Sequence, residues 1–336
     1  MLNSAVIDLE VLRENARVVK ARLDKRTLFN AVVKADAYGH GAPTVANAIY
    51  GIVDNFSVAT VDEGVKLRLS GIRKDVFVLT PLMLCDTPIA VRYGLIPTVC
   101  SAREVTLIES ECLRQNKNAF VQIKFNSGMN RLGVDGLDEL ERVIKAISDC
   151  KKVKLWGMFS HFSAPQNKKS RISAENKFLL ANNLVKGYNN KAVCHISASG
   201  GFLFGAHYDM VRIGILLYGY TPFKTEFKVT PAMKVYAPVI GRRTLRDGDC
   251  ALYGDKRSGG GDITLIRYGY ADGLMRKQTD GQFNNRCMDI TAIKGNFYKD
   301  EYPVMENADI IAKKCGTISY EILTKCAMRA QKIYLN

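Results

Sequence analysis

The chain has 336 residues, long for one domain and short for three, which predicts two domains with at least one sizeable core. Apolar residues make up 47% and charged residues 24%, an ordinary globular balance. No apolar run approaches the roughly 18 residues of a membrane span. The net charge of +15 invites nucleic acid, but the basic residues are spread along the chain and the pairs at Lys151-Lys152, Lys168-Lys169 and Lys313-Lys314 fall in polar segments. Nucleic acid and membrane are therefore not expected as partners, while a positive field favours small anions.

The N-terminus carries acids and helical periodicity but lacks the apolar centre of a secretory signal, so a cytoplasmic location is the expectation. From there, short apolar runs recur, each bounded by turn residues: residues 28–35, 55–61, 75–81, 96–101, 119–126, 154–161, 192–199 and 210–219. They are continuous rather than alternating, as strands buried on both faces read. Residues 102–118 place Val105, Ile108 and Leu113 at near-helical spacing behind a capping Ser101. Residues 135–150 repeat the pattern with Leu137, Leu140, Val143, Ile144 and Ile147. Eight such units predict a (β/α)8 barrel over residues 8–222.

Beyond Tyr220 the texture changes to short strand-like runs, including residues 308–324, with a helix expected only around 318–330. Residues 223–336 therefore read as a mostly β domain, against which residues 1–7 could pack. "SGGGD" at 258–262 reads as a flexible loop without phosphate-binding spacing. The nine cysteines are scattered and form no C-x-x-C pair, which predicts reduced thiols and no metal site.

Catalytic groups of such barrels lie at the C-terminal strand ends. Lys34, Lys124 with Asn126, His161, Ser199 and Arg212 all fall there, with Arg131 close behind. Singly, each has a bland reading: a snorkelling lysine, a core histidine, an arginine pairing with Asp209. Together on one rim they point to a site that handles an anion. Pyridoxal phosphate chemistry unites them. A buried lysine forms a Schiff base with an aldehyde. Ser199-Gly200-Gly201 and Gly214-Ile215 offer hydroxyl and backbone groups to a phosphate.

These residues lie in motifs that resemble the alanine racemase family. "AVVKADAYGHGA" is similar to its cofactor-lysine signature, and "IKFNSGMNRLGV", "FSHFS", "DMVRIGILLYG", "YGYADG" and "RCMD" follow in the family's order. The resemblance spans nearly the whole chain. It implies a pyridoxal-phosphate enzyme that interconverts L-alanine and D-alanine, supplying D-alanine for peptidoglycan.

Lys34 would hold the cofactor and face the D-substrate's α-proton, and Tyr270 would be the opposite base, facing the L-substrate. His161 and Arg212 would link to that tyrosine, and Arg212 would face the pyridine nitrogen without giving up its proton. Tyr38, Ser199, Gly214, Ile215 and Tyr320 match phosphate-binding positions. Arg131 and the Met288 backbone match contacts to the substrate carboxylate, and Lys124 matches a lysine carbamylated in some members. A head-to-tail homodimer is implied, with Tyr270 and Met288 completing the partner's site.

The chain departs from the family pattern at Asn126, Ala198, Gly200-Gly201 and residues 328–332. Those changes bear on substrate choice and cofactor affinity, not on the reaction. Serine is the alternative substrate, although Tyr320 accompanies alanine preference in the family. A non-enzymatic cofactor carrier would lack "YGYADG" and "RCMD", and a decarboxylase would place an acid where Arg212 stands.

Overall fold

The computed structural model describes residues 2–253, 257–276 and 286–336. Among them are the strands β1 (Ser4–Asp8), β2 (Leu28–Val32), β3 (Asn55–Val58), β4 (Val76–Pro81), β5 (Ile96–Val99), β6 (Ala119–Lys124), β7 (Val153–Phe159), β8 (Val193–His195), β9 (Met210–Ile213), β10 (Met233–Cys250), β11 (Arg257–Ile266), β12 (Thr291–Lys294), β13 (Glu301–Met305) and β14 (Gln331–Leu335). The chain divides into two units. One comprises residues 13–35 and 42–229, the other residues 1–12, 36–41 and 230–336.

The first unit is an eight-stranded parallel barrel. Its strands run β8-β7-β6-β5-β4-β3-β2-β9, and a parallel bridge between Ala198 and Arg212 closes the ring. All eight apolar runs of the sequence became these strands. Helices return the chain between them, and their inward faces form the main core with residues such as Val105, Ile108, Leu140, Ile147 and Phe178. Ser101 caps the helix Ala102–Gln115 in a reciprocal box with Glu104. Leu113 and Leu137, expected on the buried faces, are instead exposed. Cys112, one residue before Leu113, continues the buried stripe of Val105 and Ile108, and Leu137 lies in the first turn of its helix, Gly136–Ser148.

Side chains alternate along a strand, so every second residue enters the barrel. The lower layer is apolar: Leu28, Phe77, Ile96, Trp156, Val193 and Met210 pack together. Two residues further along their strands stand Asn30, Thr98, His195 and Arg212, all essentially inaccessible. Asn30 donates to Asn55 at 2.5 Å, and Gln122 to Thr98 at 3.2 Å. A polar storey thus lies on an apolar floor, directly below the rim that carries the lysines.

The second unit is a mostly β sheet in the order β12-β11-β10-β1-β14, with β13 also on β10. N-terminal β1 lies antiparallel to β10 and parallel to β14. Two sequence expectations fail here. The glycine-rich stretch at 258–262 is part of β11, where the long antiparallel ladder with β10 holds it. Residues 308–315 form the helix Ala308–Cys315, begun by the Asn307 side chain and ended by left-handed Gly316. A second helix, Ser319–Cys326, follows. No helix among the described residues is long and apolar enough to cross a membrane.

Candidate active site

The barrel rim gathers four cationic side chains. Lys34 follows β2, Lys124 ends β6, Arg131 lies beyond it, and Arg212 belongs to β9. No carboxylate among the described residues forms an ion pair with any of them. Like charges held this close lower one another's affinity for protons. Burial lowers the Lys34 pKa, with Arg131 and Arg212 adding to the effect and Glu63 opposing it. Lys124 falls to about 8 through burial and the charges of Arg212 and Arg131. Its ammonium lies 4.6 Å from the centre of the Phe159 ring, and the Arg212 guanidinium 5.1 Å from the same ring.

Arg212 is 3% exposed. The two protons of its Nη2 are shared among the Ser160 carbonyl at 2.7 Å, the Ile196 carbonyl at 3.1 Å and His161 Nδ1 at 3.2 Å, while Nη1 donates to His195 Nδ1. Burial and the charge of Arg131 bring its pKa down to about 9, which leaves it a cation at neutral pH. A guanidinium only donates. Both histidines must therefore offer an Nδ1 lone pair, so each is neutral with its proton on Nε2. Burial and the same cation push both imidazole pKa values well below the usual range. The bland alternative, a pair of Arg212 with Asp209, does not form. Asp209 instead accepts from Lys186 at 2.8 Å and from the Cys194 amide at 2.8 Å.

His195, the Nη1 partner of Arg212, is the residue of this cluster that the sequence reading passed over. A lone histidine in a short apolar strand reads as core. Its signal was its placement two residues beyond Val193, level with Arg212 across the closing strands. Glu63 was passed over as well. It caps its own helix with Thr60, accepts from the Ala59 amide at 2.7 Å, and with its other oxygen accepts from the Ala35 amide at 2.7 Å. The backbone just beyond Lys34 is thereby tied to the next strand's loop.

Ser199 and Gly214 come together as expected. The Gly214 amide donates to Ser199 Oγ at 3.1 Å, which leaves the hydroxyl proton free to turn toward a ligand. Ile215 follows, fully buried. A side chain at Gly200 would meet Pro165 at 2.7 Å, and one at Gly201 would meet Ser197 Oγ at 2.5 Å, so both glycines are required by close packing.

In the other unit, Tyr38 and Tyr320 face one another with ring centres 5.7 Å apart. Burial raises both phenol pKa values, Tyr320 to about 12, so both remain hydrogen-bond donors. Tyr38 closes a turn of unusual hand. Ala35, Asp36, Ala37 and Tyr38 have φ of 52, 53, 54 and 53°, a left-handed helical turn. Non-glycine residues adopt this conformation at a cost of about 1–2 kcal/mol each.

Tyr270 and Met288 meet through backbone. The Tyr270 amide donates to the Cys287 carbonyl at 3.2 Å and the Ala271 amide to the Met288 carbonyl at 3.0 Å. Asp272 pins this turn by accepting from the Gly269 amide at 2.9 Å and from Asn3 at 3.1 Å. Below it, the one hydroxyl proton of buried Tyr268 lies between the Asp272 and Cys326 carbonyls. Both Tyr270 and Met288 expose their side chains from this rigid base, at 41% and 54%.

Residues 7–222 match the family model described as the alanine racemase N-terminal domain. The chain belongs to the alanine racemase family. It is 31% identical to the alanine racemase of Clostridium novyi over 371 residues, covering 98% of this chain and 95% of the relative. The solved alanine racemase of Clostridium difficile 630 superposes with a TM-score of 0.93 at 28% identity, over 100% of this chain and 96% of that one. The alanine racemase of Bartonella henselae, solved with covalently bound pyridoxal phosphate, superposes at 0.85 with 25% identity, over 100% of both chains.

Proposed function

We propose that this racemase-family chain binds pyridoxal phosphate through Lys34 and interconverts L-alanine and D-alanine with two bases, Lys34 and Tyr270 of the partner subunit in a head-to-tail homodimer. The observation that carries the reading is Arg212, a buried cation with two neutral histidines and, among the described residues, no carboxylate paired with it. An aromatic nitrogen facing such a group receives a hydrogen bond but no proton.

The residues present fit the cofactor. Its phosphate would be held by the Ser199 hydroxyl and the backbone at Gly214 and Ile215, while Tyr38 and Tyr320 match the family's further phosphate-binding positions. The depressed Lys34 pKa favours the neutral amine that attacks an aldehyde. When bound, pyridoxal phosphate supplies the electron sink for the pair released at the substrate's α-carbon.

The remaining work belongs to this chain. Lys34 removes or returns the α-proton on one face, and Tyr270 acts on the other. A phenol is a weak base at neutral pH. His161 meets that need: Arg212 holds its Nδ1, so its Nε2–H is aimed outward, ready to donate to a phenolate. Arg131 and the Met288 backbone bind the substrate carboxylate. Lys124, with a pKa of about 8, holds enough neutral amine to take up carbon dioxide. The resulting carbamate would place an anion among Arg212, Arg131 and Lys34 and orient Arg131.

The test is a racemisation assay of the purified protein with pyridoxal phosphate on L-alanine, L-serine and L-lysine, resolving product enantiomers. D-Alanine as the dominant product supports the reading. Preferential racemisation of serine moves the substrate, and no racemisation of any of the three rejects the function.

A further inference from the structure

We infer that His40 is a positioning residue for the lysine turn, clamping its left-handed backbone through one Nδ1–H shared between the Ala37 and Tyr38 carbonyls. The distances are 3.0 and 3.1 Å, and the imidazole is wholly inaccessible. This inference rests on the reading of Lys34 and Tyr38 as cofactor-binding residues, since the same turn, Lys34–Tyr38, carries both.

A run of four left-handed non-glycine residues does not hold itself, because each is sterically disfavoured and the hydrogen bonds of one turn are few. Such backbone persists only where its surroundings over-determine it. Here the surroundings are specific. The Gly41 amide donates to the Asp36 carbonyl at 2.9 Å and the His40 amide to Ala37 at 3.1 Å. Lys332 pairs with Asp36 at 2.9 Å, and the Tyr334 hydroxyl donates to the His40 carbonyl at 3.3 Å, both from β14. Gly39, at φ +84°, lets the Leu323 carbonyl approach to where a side chain would collide at 2.5 Å.

Within this frame the imidazole reaches both of the last two carbonyls of the turn, those of Ala37 and Tyr38. A carbonyl acceptor requires Nδ1 to carry the proton, so the ring is the Nδ1–H tautomer. Burial holds the ring neutral, with its pKa lowered to about 4 against the opposing pull of those carbonyls and Asp36. A side chain that only filled space would need neither the donor nor the tautomer. Asparagine places its Nδ2–H close to where histidine places Nδ1–H, whereas leucine fills similar space with no donor.

The experiment compares wild type, His40→Leu and His40→Asn as apoproteins. Pyridoxal phosphate is titrated by the absorbance of the lysine-bound form, and amide exchange is followed across residues 35–41 without cofactor. His40→Leu is expected to lose about tenfold to a hundredfold in cofactor affinity, two hydrogen bonds being at stake, and to exchange faster at residues 39–41. His40→Asn should stay within about threefold of wild type in affinity and recover the protection. Wild-type affinity in His40→Leu, or no recovery in His40→Asn, overturns the role. If His40→Leu does not fold, His40→Asn decides alone by the same threefold or tenfold criterion. Failure of the wild type to bind pyridoxal phosphate strikes the proposed function instead, and the exchange data then still judge the clamp.

Discussion

Arg212 donates to Nδ1 of His161 at 3.2 Å, and that one contact decides where the histidine's proton lies. With Nδ1 occupied as an acceptor, the proton is on Nε2, facing away from the guanidinium. The arginine nitrogen that reaches His161 also donates to the Ser160 and Ile196 carbonyls, and the other terminal nitrogen donates to His195. Direction therefore passes from buried backbone through arginine to histidine.

Replacing His195 tests that chain from below. His195→Leu keeps the volume but leaves Arg212 Nη1 without its acceptor inside the barrel. The apoprotein should lose about 1–3 kcal/mol of stability in urea unfolding. Arg212→Ala alone and the double variant complete a cycle. A coupling energy near zero would separate the two residues.

The four-cation rim makes Lys34 costly to the apoprotein. Lys34→Ala should abolish covalent cofactor absorbance and all activity. It should leave the unfolding midpoint of the apoprotein unchanged or raise it, because one of several repelling charges is gone.

Lys124 gives the rim a pH signature. Its folded pKa is about 8 against about 10.5 unfolded, so between those values the unfolded chain binds more protons. Stability from this group rises as pH increases through that window and is lost as pH falls toward the folded value. Unfolding free energies of wild type and Lys124→Met are compared under carbon-dioxide-free conditions from about pH 7.5 to 10.5. The wild type should gain on the variant as pH rises. Parallel curves would show that Lys124 titrates normally.

Much of the barrel was legible because each buried parallel strand is a continuous apolar run between turn residues, and eight such runs leave few architectures. The rim was legible because charges ending apolar runs, such as Lys34 and Lys124, must face a strand end. His195 was not legible, because its partner Arg212 meets it only when the last two strands close the ring. The helix Ala308–Cys315 was misread since its apolar run is short, although Asn307 and Gly316 stood at its ends as caps. The glycines at 258–262 suggested a loop because the ladder that holds them belongs to a partner strand. Left-handed backbone at Ala35–Tyr38 has little sequence signal, since alanine and tyrosine disfavour it and only Asp36 is of a type that visits it as a single residue. Only Gly39 and Gly41 behind it hinted at a turn.

Gly39 is where that turn tolerates least. Gly39→Ala adds a side chain 2.5 Å from the Leu323 carbonyl at φ +84°. A loss of about 1–3 kcal/mol in thermal or urea unfolding is expected. Gly71→Ala, with similar φ but open space around it, should lose less, and equal losses would assign the effect to φ alone.

The two-base assignment is tested most directly by α-proton exchange in deuterated water with Tyr270→Phe. Lys34 remains, so D-alanine should still exchange its α-proton, while exchange from L-alanine should fall by about a hundredfold or more. Equal exchange from both enantiomers, whether retained or lost, would contradict a mechanism in which Lys34 and Tyr270 serve opposite faces.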